Sequence, residues 1–250
     1  MSPDILIDAG VKARALYRHE DAHGFFVAAI QAATDSDDRS NEIRLRATEA
    51  LARNARDYWP AGQGDPFQMS HKLSRETLSQ YRIMGNLLGI ARTLRMLAPL
   101  EPENSAAMLD ESLRICRQLN NQQGIAETLM MMGNLSDLPD DKRALLQEAL
   151  TEAKQSGDQG VIAQVLQSIA VLSTSDVEQE EDAFDDAIEM RRSLGLDAFF
   201  VILILMSTAF GSNVDKRKAL LTEALEVSCR LTSFDLAKMC MDRLAGLNKS

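Results

Sequence analysis

The segment His19-Glu20-Asp21-Ala22-His23 contains the residues with the clearest potential for chemistry in this sequence. On a helix its two histidines lie one turn apart, where both imidazoles can bind the same zinc ion. The glutamate between them could act as a general base toward a metal-bound water. The spacing therefore suggests one hypothesis, a metal-dependent hydrolase that uses His19, Glu20 and His23.

A third histidine bears on the same hypothesis. His71 and His23 occupy the same level of neighbouring helices in the repeat described below. His19, His23 and His71 are therefore candidate ligands of one metal ion. Asp21, however, puts a charge inside the motif, and no further ligand motif follows it. A position at the turn between two helices explains the segment without a metal, so we expect no cofactor.

An acidic cluster near residue 180 has a structural interpretation. Asp182, Asp185 and Asp186 are spaced like a carboxylate site for Mg²⁺. Phe184 and Ile188, however, belong to an apolar stripe on the same predicted helix. The acids therefore fill the opposite, solvated face of that helix.

The cysteines do not indicate a catalytic or metal site. Cys116, Cys229 and Cys240 lack CxxC spacing. Cys116 and Cys229 fall near small-residue positions of the repeat, so we predict that both are buried packing residues. The sequence also lacks a GxxxxGK phosphate loop and a GxSxG elbow. We therefore predict that the protein is not an enzyme.

The charge of the chain restricts its partners. A formal net charge of −10 opposes binding to nucleic acid, which begins with clustered Lys and Arg, so we expect no nucleic-acid partner. The most basic stretch interleaves four arginines with three acids: Arg44, Arg46, Arg53 and Arg56 with Glu42, Glu49 and Asp57. This pattern is typical of a mixed, solvated helix face.

Hydropathy predicts no membrane span. The longest apolar run, from Ala198 to Met206, is far shorter than the ~20 residues that cross a bilayer. The odd number of cysteines and the absence of a basic-then-apolar opening segment favour a cytoplasmic protein.

A repeat organises most of the chain. An apolar residue near the end of a helix recurs at intervals of 35 to 38 residues, at Leu78, Leu113, Leu150, Ile188 and Leu225. A small residue, such as Ser112 or Ala149, precedes most of these positions, where two helices must approach closely. Twelve residues later an apolar or small residue opens the next helix: Ile90, Ile125, Ile162, Phe200 and Ala237. Each unit is therefore predicted to be a helical hairpin.

This pattern resembles the tetratricopeptide repeat family, in its longer variety with Ala-Leu before a helix end and Gly-Asp after it. The best match is Glu148-Ala149-Leu150 through Gly157-Asp158. In the first unit Gly10, Ala22 and Ala29 stand at the small positions of the family pattern. The resemblance implies an all-α, right-handed α-α superhelix in which neighbouring hairpins bury each other's apolar faces.

We predict one solenoid domain over residues 1–250, with about six hairpins and a C-terminal capping helix. The predicted hairpins lie near residues 4–35, 39–85, 86–120, 122–156, 158–194 and 196–231, and the cap near 234–247.

The resemblance also implies a concave groove lined by the first helix of each hairpin. Aligning the units predicts the following groove residues: Arg92, Arg95, Glu127, Met130, Met131, Asn134, Gln164, Gln167, Ile202 and Leu205. Flexible methionines suit a surface that adapts to an apolar ligand.

The segment 198–206 is apolar on all sides, so something must cover its second face. The capping helix, a second copy of the chain in a homodimer, and a bound ligand are the alternatives.

The function implied by the resemblance is a protein-protein interaction module or scaffold that binds a peptide or helix of a partner. A regulator that senses a peptide or a hydrophobic ligand is the alternative. The metal-dependent hydrolase is the least favoured hypothesis.

Overall fold

The computed structural model describes residues 1–15, 18–33, 37–172, 188–189, 204, 214–231 and 234–247. Contacts divide the chain into two compact units, Met1–Gly124 and Ile125–Ser250. Each unit is described by itself below.

The first unit is built of helices that pack against their neighbours in chain order. Their bounds are α1 (Pro3–Ala15), α2 (His19–Ala32), α3 (Asp38–Ala55), α4 (Pro66–Met84), α5 (Leu87–Leu97) and α6 (Ser105–Gln118). Two short 3-10 turns, Ala98–Leu100 and Pro102–Asn104, connect α5 to α6. The helices therefore pair as α1 with α2, α3 with α4, and α5 with α6.

In the second part of the chain the helices are α7 (Gln122–Leu135), α8 (Pro139–Ser156), α9 (Gln159–Leu172), α10 (Val214–Arg230) and α11 (Phe234–Leu247). Helix α8 packs on α9, and α10 packs on α11. The second helix of the predicted hairpin 158–194 and the first helix of the predicted hairpin 196–231 lie outside the described residues, apart from Ile188, Glu189 and Ile204.

The helix ends follow from local sequence. Asp65 accepts a hydrogen bond from the backbone N–H of Gln68 at 2.8 Å, and Pro66 begins α4 with a fixed φ. Gly85, at φ +67°, ends the same helix in the left-handed conformation that glycine adopts most easily. Asn86 then caps α5 through the N–H of Gly89 at 2.9 Å. Two residues are therefore enough to end one hairpin and begin the next.

Small residues bring the helices of the first unit close together. Ala22, Ala29 and Ala47 are fully buried. Gly10 of α1 faces the ring of Phe26, and a Cβ built on this glycine would lie 2.4 Å from Phe26 Cε1. The aromatic ring therefore takes the space that a side chain at position 10 would need, as the small positions of the repeat predict.

The second unit contains the same kind of packing. Ala149 and Ala153 of α8 and Ala163 of α9 are fully buried. A further core joins α10 and α11 to two of the three described residues between α9 and α10: Ile188, Ile204, Leu221, Ala224, Val227, Leu236 and Cys240. Ile204 is the one described residue of the apolar segment 198–206, and its side chain is buried.

The all-α prediction is confirmed, since the regular elements of the described residues are helices. A search of those residues finds no helix both long and apolar enough to span a bilayer. That a single solenoid extends over residues 1–250 stays a prediction.

Candidate functional site

The first helices of the three hairpins in unit one lie side by side. Helix α1 packs on α3, and Arg46 of α3 donates to Asp4 of α1 at 3.1 Å. Helix α3 is joined to α5 through Glu49 and Arg92. We call the solvent-facing surface of α1, α3 and α5 the first-helix face. It corresponds to the surface on which the sequence places a partner.

Glu49 connects three helices below this face. Arg92 of α5 donates to its two carboxylate oxygens, each at 3.0 Å. The hydroxyl of Tyr81, on α4, donates to Oε2 at 3.0 Å. The Glu49 side chain is 9% exposed, so these bonds replace water around a buried carboxylate.

Burial and neighbouring side chains shift the pKa values of Tyr81 and Arg92 in this cluster. Burial, followed by the charge and hydrogen bond of Glu49, raises the pKa of Tyr81, so its hydroxyl stays a donor. Burial acts to lower the pKa of Arg92, but the hydrogen bonds and charge of Glu49 outweigh it and the pKa is raised. The cluster is therefore an ion pair between Glu49 and Arg92, with Tyr81 as a neutral phenol bonded to it.

The two arginines predicted to line the groove are engaged inside unit one. The Arg92 side chain is 31% exposed and is held by Glu49. Arg95 is buried, and its Nη1 lies 3.4 Å from Ser112 Oγ and 3.7 Å from Cys116 Sγ. Both side chains join helices of this unit, which the sequence alignment did not indicate.

The groove residues predicted on α7 and α9 are more accessible. Glu127, Met130 and Met131 are partly exposed, and Asn134 is exposed. Asn134 donates from Nδ2 to Ser168 Oγ at 3.3 Å.

On α9, Gln164 is exposed and Gln167 partly exposed. Ile202 and Leu205 lie outside the described residues.

The three histidines have different surroundings. His19 Nδ1 lies 3.2 Å from Asn54 Oδ1 at the end of α3. The ring of His23 packs edge-on against Trp59, with centroids 5.0 Å apart, and burial lowers the pKa of His23. His71 Nε2 lies 2.7 Å from a carboxylate oxygen of Glu101. Among the residues that the structure describes, all three histidines included, no group of three or more His, Cys, Asp or Glu could hold a metal ion.

Glu101 forms a second buried carboxylate cluster that the sequence did not indicate. It lies between α5 and α6 and binds Arg75, His71 and Asn104. Burial acts to raise the pKa of Glu101, but these hydrogen bonds and the charge of Arg75 outweigh it and the pKa is lowered. A cavity of about 510 Å³ opens beside it, with Phe67 at its edge.

A second cavity of about 610 Å³ opens between α3 and α4. Its apolar lining comes from Leu45, Ile83 and Met84, and Ile83 is 75% exposed. Thr48 and Gln80 add hydrogen-bonding groups. This mixed lining suits a small amphipathic ligand.

The other residues singled out in the sequence are two cysteines and an acidic cluster. Cys116 is buried, which confirms the prediction for that residue. The same prediction is wrong for Cys229, which is exposed because Ser228 and Ala224 take the buried side of α10. The acidic cluster at residues 182, 185 and 186 lies outside the described residues.

The first-helix face contains a row of arginines on α3 that the sequence analysis did not identify. Arg39, Arg46 and Arg53 are all exposed and follow one another at intervals of seven residues. That interval is the signal that could have identified it, since seven residues are close to two helical turns.

Two solved structures share the fold of this chain. A Rap protein complexed with Competence and Sporulation Factor matches with a TM-score of 0.68 and 13% identity, over 98% of this chain and 74% of that one. A signal transduction ATPase with numerous domains and a tetratricopeptide repeat sensor, from Pyrococcus horikoshii, matches with a TM-score of 0.62 and 14% identity. That match covers 97% of this chain and 37% of the other.

No family model and no curated protein matches the sequence. At identities this low the structural similarity shows the fold alone, and the fold is a tetratricopeptide-like helical repeat.

Proposed function

We propose that this tetratricopeptide-like repeat chain is a protein-interaction module that binds a peptide or helix of a partner on the surface lined by its first helices. The observation that carries the proposal is the likeness to the Rap protein, whose structure was solved with a bound factor. Exposed or partly exposed side chains on α7 and α9 support it, since Met131, Asn134 and Gln164 combine a flexible apolar group with hydrogen-bonding amides.

The experiment is an unbiased peptide array probed with the full chain, followed by titration of the best peptide against variants. Met131→Ala should weaken binding several-fold and leave the circular dichroism spectrum unchanged. Met69→Ala, at a partly exposed methionine on the second helix α4, is the control. An array without a bound peptide, or equal losses for both variants, would contradict the proposal.

A ligand-sensing regulator is the second candidate, and the cavity between α3 and α4 favours it. A hydrophobic fluorescent probe should bind there and be displaced in Met84→Arg, which places a charge in the apolar lining. Unchanged probe binding in that variant would exclude this cavity.

The remaining hypotheses stay proposals with direct tests. The hydrolase that uses His19, Glu20 and His23 requires bound zinc, so elemental analysis of the purified chain tests it. A homodimer through residues 198–206 requires a concentration-dependent mass in light scattering. Cytoplasmic location likewise stays a proposal.

A further inference from the structure

The arginine row of α3 has a geometry that suits a repeating ligand. Residues seven apart on an α-helix differ by only about 20° in direction, so Arg39, Arg46 and Arg53 lie nearly on one line. With a rise of 1.5 Å per residue, successive members are ~10.5 Å apart along the axis. All three belong to the first-helix face, where Arg46 contacts α1 and Arg53 contacts α5.

The acids that alternate with these arginines in the sequence do not all share their surface. Glu49 turns inward, where Arg92 and Tyr81 bind it. Asp57 pairs with Arg14 at 3.0 Å. Glu42 remains exposed on the helix. The structure thus separates charges that the sequence shows as mixed, and arginines outnumber acids along the exposed line.

Arg46 and Arg53 each meet a carboxylate of unit one. Arg46 meets Asp4 through one guanidinium nitrogen at 3.1 Å, with both side chains more than 40% exposed. Arg53 lies 3.6 Å from Glu49, and its own side chain is 47% exposed. An exposed pair such as Arg46–Asp4 contributes ~0–1 kcal/mol, so a partner's carboxylate can replace or join Asp4 at little cost.

The chemistry of the row selects its ligand. A guanidinium presents a planar fork of donors that matches a carboxylate. An extended peptide in the polyproline II conformation has three residues per turn and rises ~3.1 Å per residue, so side chains three residues apart lie on one face and repeat every ~9 Å, close to the spacing of the arginines. The exposed residues of α3 are all charged, Glu42 included, so α3 itself offers no apolar stripe of the kind that an amphipathic helix would require.

We infer that Arg39, Arg46 and Arg53 bind an acidic segment of the partner in extended, polyproline II conformation, with a carboxylate at about every third residue. This inference rests on the proposed function, because it names the class of peptide held on the first-helix face. The arginines supply charge and register, and other groups on the face supply the remaining contacts.

The test uses the full chain and a fluorescent peptide of repeated Asp-Ser-Gly triplets, followed by fluorescence anisotropy at low salt. The peptide should bind, and added salt should weaken binding because the contacts are exposed. The double variant Arg39→Glu, Arg46→Glu should weaken it by at least about tenfold, roughly the effect of losing 1.4 kcal/mol. Replacing both residues by lysine should cause a smaller loss.

Arg114→Glu is the matched control, since Arg114 is an exposed arginine on the second helix α6. It should leave the affinity unchanged. The inference is overturned if this control loses as much affinity as the double variant, or if a peptide with all its aspartates clustered at one end binds as tightly. Tighter binding of single-stranded oligothymidine, lost in the same double variant, would also overturn it in favour of nucleic acid.

The outcomes also separate this inference from the proposed function. If the array yields a peptide whose binding depends on Met131 and not on Arg39 and Arg46, the acidic-segment inference fails and the interaction module stands. If neither the array nor the triplet peptide shows binding, both fail.

Discussion

Gly10 and Gly24, the two glycines of the first hairpin, have opposite surroundings. Substituting each of them therefore tests the packing at the scale of single residues. A Cβ at Gly10 would meet the buried ring of Phe26 at 2.4 Å, whereas a Cβ at Gly24 would meet nothing within 4 Å. Both residues are helical, so alanine improves helix propensity by ~1 kcal/mol at each.

We expect Gly10→Ala to lower the free energy of unfolding by about 1–3 kcal/mol, because overpacking outweighs the gain in propensity. Gly24→Ala should raise it by about 0.5–1 kcal/mol. Urea denaturation measures both. A stabilising effect at both positions would mean that α1 does not approach Phe26 closely.

Glu101 leads to a prediction about acid stability. Its folded-state pKa is lowered from the ordinary value of 4.5, so the folded state favours the carboxylate more than the unfolded chain does. Its contribution to stability is therefore fully present above pH 4.5 and is lost as the pH falls through the lower folded-state pKa.

Glu101→Gln should be less stable than the wild type at neutral pH, because Arg75 and His71 lose their charged partner. The difference should shrink as the pH falls below 4.5. Chemical denaturation of both proteins across this range gives the comparison. A difference that grows in acid would show that the hydrogen bonds to Glu101 do not favour its ionised form.

At the scale of the helix, the small position at Ala149 is the feature to test. Ala149 is fully buried on α8, beside Leu146 and Leu150. Ala149→Leu adds volume where helices are in contact and should lower stability by about 1–3 kcal/mol. Glu148→Leu, one residue earlier on the exposed side of α8, is the control and should change stability much less.

Thermal unfolding followed by circular dichroism distinguishes the two variants. Equal melting temperatures would show that Ala149 does not lie at a tight contact between helices.

At the scale of the molecule, the single tryptophan allows the stability of one unit to be followed alone. Trp59 belongs to the first unit and contacts His23. In a repeat protein stability is a sum of local and nearest-neighbour terms. Gly10→Ala should therefore shift the denaturation curve measured by tryptophan fluorescence more than Ala149→Leu does.

Circular dichroism should respond to both substitutions, because it reports all helices. If the two probes give coincident curves for each variant, the chain unfolds as one cooperative block and the nearest-neighbour description does not apply.

Much of the fold could be predicted because its causes are local. The spacing of small and apolar residues predicts amphipathic helices, and residues such as Pro66, Gly85 and Asn86 mark their ends through backbone effects of a few neighbours. Likewise Gly10 and Ala149 could be identified as packing positions from their place in the repeat. These signals need no knowledge of distant residues.

Much of the candidate site could not be predicted, because it depends on residues far apart in the chain. Glu49 meets Tyr81 and Arg92, which follow 32 and 43 positions later, and this pairing turns a predicted surface acid inward. Cys229 is exposed because of the rotation of α10, which its core neighbours set.

The sequence by itself determined that this chain forms helices with small residues at their contacts, since periodicity and caps act over a few residues. Only the tertiary structure decided which charges are paired inside and which, like Arg39 and Arg46, face solvent together. The physical reason is that the direction of a charged side chain follows from the partners that packing brings within hydrogen-bonding distance, and helical periodicity does not specify those partners.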